Sequence, residues 1–121
     1  MNDKELLELA AKAAGVVEDL RGGRDDVRLG LIIETKKKFS GDDYHFFPSR
    51  YWNPLTDDGD ALRLAIKLDL SIHTFYSDGV SSACSGVPYF VDEEVLHDGD
   101  PYAATRRAIV RAAAEIGKEK K

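Results

Sequence analysis

The block Trp52-Asn53-Pro54-Leu55-Thr56-Asp57-Asp58-Gly59-Asp60-Ala61-Leu62-Arg63-Leu64-Ala65-Ile66 constrains the fold more than any other part of the chain. Asn53-Pro54 favours a turn, so whatever backbone precedes it stops there. Thr56 or Asp57 then offers an N-cap, and aspartates in a first turn are favoured by the helix dipole. The spacing predicts a helix from this point to Lys67 or Leu68, with Leu62, Ala65, Ile66 and Leu68 as its buried stripe.

Two further helices are legible. Asn2 or Asp3 caps the first, with Glu5 completing a capping-box pattern, Leu6, Leu7, Leu9, Ala10, Ala13 and Ala14 at helical spacing, and Gly15 as the stop. Asp100 and Pro101 start the last one. It carries a face of small residues, Ala104, Thr105, Ala108, Ile109, Ala112, Ala113 and Ile116, a basic face of Arg106, Arg107 and Arg111, and an expected end at Gly117.

Strands are expected where the period changes to two. Val27 to Thr35 alternates, with Gly30 marking a bulge or a close approach, after an exposed polar connection at 18–26. Residues 36–55 have no clean period yet hold six of the eleven aromatic residues, and a short extra strand is expected only at Tyr44–Phe47, ended by Pro48. Leu70 to Tyr76 alternates again before Asp78-Gly79, a strong hairpin signal. A two-residue turn there would set Tyr76 opposite Ser81, Thr74 opposite Ala83 and His73 opposite Cys84, with a return strand running towards Val91, disturbed by Gly86 and Pro88. The order helix, strand, helix, hairpin, helix predicts one α+β domain over residues 1–121, a small mostly antiparallel sheet with flanking helices in an α/β/α sandwich-like arrangement.

Composition bounds the function. The net charge of −5 argues against general nucleic-acid binding, since affinity for phosphate backbones comes from clustered Lys and Arg. The run Lys36–Lys38 and the tail Lys118, Lys120 and Lys121 read first as solubility features. No apolar run approaches the roughly 18 residues of a membrane helix, and the acidic N-terminus lacks a signal-peptide pattern, so no membrane association and a cytoplasmic location are expected. Cys84 is the single cysteine, which rules out an intramolecular disulfide and a thiolate-rich zinc site.

The candidate chemistry is thin. Asp57, Asp58 and Asp60 could hold a hard cation, but capping explains them more completely, and the twelfth position of a calcium loop counted from Asp57 is Leu68, where a Glu is needed. A His73/Cys84 pair could make an activated nucleophile, yet it lacks an orienting residue, and buried free cysteine is common. His45 and His97 have no second histidine at ligand spacing, and no hydrolase, Walker or dinucleotide signature is present, so no cofactor is expected. What remains is an aromatic stretch with a basic edge, from which Lys37, Tyr44, Phe46, Arg50 and Trp52 could stack a base, neutralise a phosphate or anchor a protein. Arg107 and Arg111, neighbours on the last helix, are the second candidate surface.

The core Trp52-Asn53-Pro54-Leu55, Asp57-Asp58-Gly59-Asp60-Ala61-Leu62-Arg63-Leu64-Ala65 resembles small proteins of tailed phages and prophages. So does Asp100–Gly117, and Leu6–Gly15 more faintly. The resemblance implies the arrangement called the phage ABA sandwich, and brings no catalytic residues with it. It implies an accessory protein that binds a host or phage protein without catalysis, counter-defence factors included. The alternatives are a protein that sequesters a nucleotide or another anionic small molecule, and an enzyme using His73 and Cys84.

Overall fold

Asn2 begins the first helix as its capping pattern predicts. The computed structural model describes residues 2–15, 31–39, 43–86 and 90–120, with 31–39 and 43–51 given by their backbone alone. The Glu5 amide donates to Asn2 Oδ1 at 2.8 Å, helix α1 runs Asp3–Ala14, and Gly15 closes it in the left-handed conformation at φ 73°. Leu6, Leu7, Ala10, Ala11 and Ala13 are buried.

Strands β1 (Leu31–Phe39) and β2 (Asp43–Trp52) form an antiparallel hairpin. Both outrun their expected limits. β1 passes beyond Thr35 through the lysine run, and β2 passes through Pro48 instead of ending there. The register explains how: Ile33 pairs with Arg50 and Thr35 with Phe47, so Glu34 faces both Pro48 and Ser49 in a bulge. A bulge is one of the few strand positions that tolerates a residue with no N–H to donate. Expectations for 16–30, including the first part of the Val27–Thr35 strand and Gly30, lie outside the described residues.

Helix α2 (Asp58–Lys67) is capped by Asp57, whose side chain accepts the Asp60 amide at 2.7 Å. Its buried face is only partly the expected one: Ala65 is buried and Leu68 packs against the core. Asp60, Ala61, Leu64 and Ala65 point inward, whereas Leu62 is 56% and Ile66 69% exposed. Asp60 is anchored to the turn before the helix, and this rotates the helix so that Ala61, Leu64 and Ala65 meet the core.

Three strands follow where a single hairpin was expected: β3 (Ser71–His73), β4 (Val80–Ser85) and β5 (Val91–Leu96), a regular antiparallel sheet in the order β3-β4-β5. The Asp78-Gly79 turn is longer than two residues. Tyr76–Asp78 forms a 3₁₀ turn closed by Gly79 at φ 68°, and the pairing becomes His73 with Ser82 and Ile72 with Ala83. A shift of two keeps every side chain on its face. It nevertheless puts Cys84 opposite Ser71, not opposite His73. The return segment ends as a strand at Ser85, and β5 is a separate one.

Helix α3 (Pro101–Glu119) starts where expected, with Asp100 accepting the Ala103 amide at 3.0 Å. It packs on β4 and β5, while α1 and α2 pack on it. Burial therefore extends past the expected small-residue face to Val110, Ala114 and Gly117. Gly117 does not end the helix. It lies inside it, where the carbonyl of Leu9 in α1 occupies the place a Cβ would need. Lys120 just beyond donates to the Lys12 and Ala13 carbonyls, 3.3 and 3.2 Å away, serving the end of α1 as well as solvent. Trp52 and Leu55 complete the core with α1, α2 and α3, and the whole is an α+β fold of helices around a small antiparallel sheet.

Gly117→Ala tests the closeness of α1 and α3. Alanine in a helix interior usually stabilises by about 1 kcal/mol, but here overpacking should destabilise by about 1–3 kcal/mol in urea denaturation. A neutral or stabilising result would contradict the packing.

Candidate functional site

The Trp52–Ile66 block is tied together by hydrogen bonds. Asp60, 1% exposed, accepts the Asn53 amide at 3.0 Å and the Arg63 guanidinium at 2.9 Å. Asn53 Oδ1 accepts the Leu55 amide at 3.0 Å, and the Asn53 carbonyl accepts the Thr56 and Asp57 amides. Pro54, which has no N–H to satisfy, is fully buried in the turn. Thus Asn, Pro and Asp at these positions are explained by a buried turn whose polar groups must all be matched.

The carboxylates considered for a cation are committed to protein partners. Asp57 caps the helix, Asp58 pairs with Arg106 at 2.6 Å, and Asp60 is buried in the network. No group of three or more His, Cys, Asp or Glu suited to a metal ion occurs among the described residues.

Two of the three arginines on α3 are likewise engaged. Arg106 donates to the Leu55 carbonyl at 2.8 Å as well as to Asp58, and Arg107 pairs with Asp3 of α1 at 3.1 Å. Only Arg111 of the three is exposed, on the flank of the sheet with Gly79, Glu94, Leu96 and Asp98. The expected basic face therefore serves mostly to tie α3 to α1 and to the turn before α2.

The aromatic stretch separates into parts. Trp52, 5% exposed, is a core residue. Lys37 stands opposite His45, Tyr44 opposite Lys38, Phe46 opposite Lys36 and Arg50 opposite Ile33 on the hairpin backbone; the side chains of these residues lie outside the description.

His73 is exposed and stacks on Phe75 with ring centroids 5.5 Å apart, separated from Cys84 by the register shift. His97 is buried: its Nε2 lies 2.9 Å from Ser81 Oγ, which in turn lies 2.7 Å from the Thr105 hydroxyl. Ser81 is fully buried beneath α3, so no substrate reaches its hydroxyl, and the trio joins β4, the end of β5 and α3.

The apolar feature among the described residues is a groove of about 250 Å³ between α2, α3 and β3, distinct from a more polar cleft of about 740 Å³ beside Gly79, Glu94, Asp98 and Arg111. Ala61, Leu62, Ile72, Thr74, Tyr102 and Ile109 line it, and the Asp58–Arg106 pair closes one side. Tyr102, 72% exposed, and Leu62 stand at its rim, and Ile66 lies one turn along α2. None of the four large apolar residues of this groove was singled out as a site residue from the sequence. The one available signal was Tyr102, an aromatic in the first turn of an otherwise alanine-rich helix.

Set against protein families, curated proteins and solved structures, the chain matches none.

Burial pushes the Glu93 carboxyl of β5 above its ordinary value of 4.5, helped by the Glu115 carboxylate and opposed by Arg111 and Lys118. The folded state then holds the Glu93 proton more tightly than the unfolded chain, so its contribution to stability falls as pH rises from the ordinary value through the raised one. Glu93→Gln should therefore stabilise the protein at neutral pH in thermal melts, and the gain should vanish below the ordinary carboxylate range. A gain that grows on acidification would contradict this assignment. Asp60→Ala, which strands the buried Asn53 amide while Arg63 stays solvated, should cost about 1–3 kcal/mol in urea denaturation. Mg²⁺ or Ca²⁺ should leave the wild-type melting temperature unchanged; a rise would restore the cation reading of the aspartates.

Proposed function

We propose that the chain is a non-catalytic accessory protein that binds a host or phage protein, a counter-defence role included, in line with the phage and prophage resemblance. The observation that carries this reading is the pair of exposed apolar side chains Leu62 and Tyr102 at the rim of the groove between α2, α3 and β3, with exposed Ile66 one turn along α2. Leucine and isoleucine left out of the core on a helix that has a full buried face elsewhere need another use, and clustered exposed apolar residues mark interaction sites.

Size favours a protein over a small molecule. A pocket enclosing a drug-sized ligand has roughly 300–1,000 Å³, whereas this groove, at about 250 Å³, accepts one or two apolar side chains of a partner; the cleft beside Arg111, about 740 Å³, is large enough for a ligand but is lined by Glu94 and Asp98, which oppose an anion. The anion-sequestering alternative loses support from α3, where Arg106 and Arg107 already face carboxylates. The His73/Cys84 enzyme loses its directly opposed pair.

Pull-down from host lysate with wild type and with Leu62→Asp/Tyr102→Ala tests the reading. Each anchor buries about 1.5–3 kcal/mol of side chain on binding, so the double variant should lose the captured protein while its melting temperature stays near wild type, the side chains being exposed. A wild-type protein that captures nothing, or a variant that captures as well, would overturn it.

A further inference from the structure

Among the described residues, each of the two sheets ends in an edge strand of opposite charge. In the order β3-β4-β5, β5 pairs with β4 alone among the described residues, and its six residues keep an unbroken register without a bulge. Such an edge is a template for another strand unless something guards it. The residues at its centre are Asp92, Glu93 and Glu94, with Asp92 and Glu94 exposed and Glu93 half-buried against α3.

β1 likewise pairs with β2 alone among the described residues. Beyond the bulge at Glu34 its regular stretch Thr35–Phe39 carries Lys36, Lys37 and Lys38 at its centre. Charge decides which edges can meet. Two β5 edges would oppose carboxylate to carboxylate and two β1 edges lysine to lysine, and like charges directly opposite are destabilising. A β1 edge against a β5 edge opposes three lysines to three carboxylates. In antiparallel register Lys38 meets Asp92, Lys37 meets Glu93 and Lys36 meets Glu94, with Phe39 beside Val91 and Thr35 beside Val95 at the two ends.

We propose that β1 of one copy adds to the β5 edge of a second copy, and that the reciprocal contact closes a twofold homodimer. The contact lies at the opposite edge of the sheet from the groove lined by β3, so it stands independently of partner binding there. Each copy contributes one basic and one acidic strand, and two identical extended contacts hold the pair.

Sedimentation velocity of the full chain over a concentration series tests this. Wild type should dimerise, with a dissociation constant roughly tenfold weaker at high salt than at low salt because salt screens the attraction between the opposed charges. Asp92→Lys/Glu93→Lys/Glu94→Lys and Lys36→Glu/Lys37→Glu/Lys38→Glu should each be monomeric alone, and an equimolar mixture should dimerise again, since both of its contacts regain opposite charges. Because Glu93 is half-buried, Asp92→Lys/Glu94→Lys with Lys36→Glu/Lys38→Glu repeats the exchange without touching it, and circular dichroism confirms that each variant is folded. A wild type that stays monomeric at every concentration, including one in which the two strands meet within a single chain, overturns the proposal. So do charge variants that still self-associate, or a mixture that stays monomeric.

Discussion

A buried carboxylate sets the geometry of this protein. Asp60 sits in the first turn of α2 with almost no exposure, and accepts from the Asn53 amide on one oxygen and from Arg63 on the other. A charge in that position is tolerated only if its oxygens are matched, and among the described residues its partners include ones seven residues back and three residues on. The consequence is that the turn 53–56 and the helix after it behave as one rigid piece. Trp52 and Leu55, on either side of Asn53 and Pro54, are delivered into the core by the same grip.

The rotation of α2 follows from it. With Asp60 inward, Ala61, Leu64 and Ala65 face α3, and Leu62 and Ile66 are turned to the outside. Arg106 reaches from α3 to the Leu55 carbonyl and to Asp58, and locks the helix pair in this setting. The exposed apolar rim is thus a product of how a polar residue is satisfied, and the surface proposed to bind a partner is held by the block that most constrains the fold.

Helix starts were legible in the sequence because capping is local. Asn2, Asp57 and Asp100 each accept the amide three residues on, and the residue types alone announce it. Which face of a helix is buried was less legible, because a periodicity count treats Asp60 as a polar surface residue and assigns Leu62 and Ile66 to the core in its place. Turn length is hidden for a similar reason: Asp78-Gly79 signals a hairpin, but Tyr76–Asp78 winds into a 3₁₀ turn and uses Gly79 as its left-handed close. The reach of β2 through Pro48 needed the bulge opposite Glu34, a feature of pairing between distant residues. Arg106 and Arg107 looked like a free basic face because their partners, Asp58 and Asp3, lie 48 and 104 residues away.

The central claim is that Asp60 turns Leu64 inward and Leu62 and Ile66 outward, beside exposed Tyr102 of α3. Hydroxyl-radical footprinting of the wild-type protein measures this residue by residue. Heavy oxidation of Leu62, Ile66 and Tyr102 with protection of Leu64 and Trp52 is the predicted pattern, whereas protection of Leu62 and Ile66 with oxidation of Leu64 would contradict it.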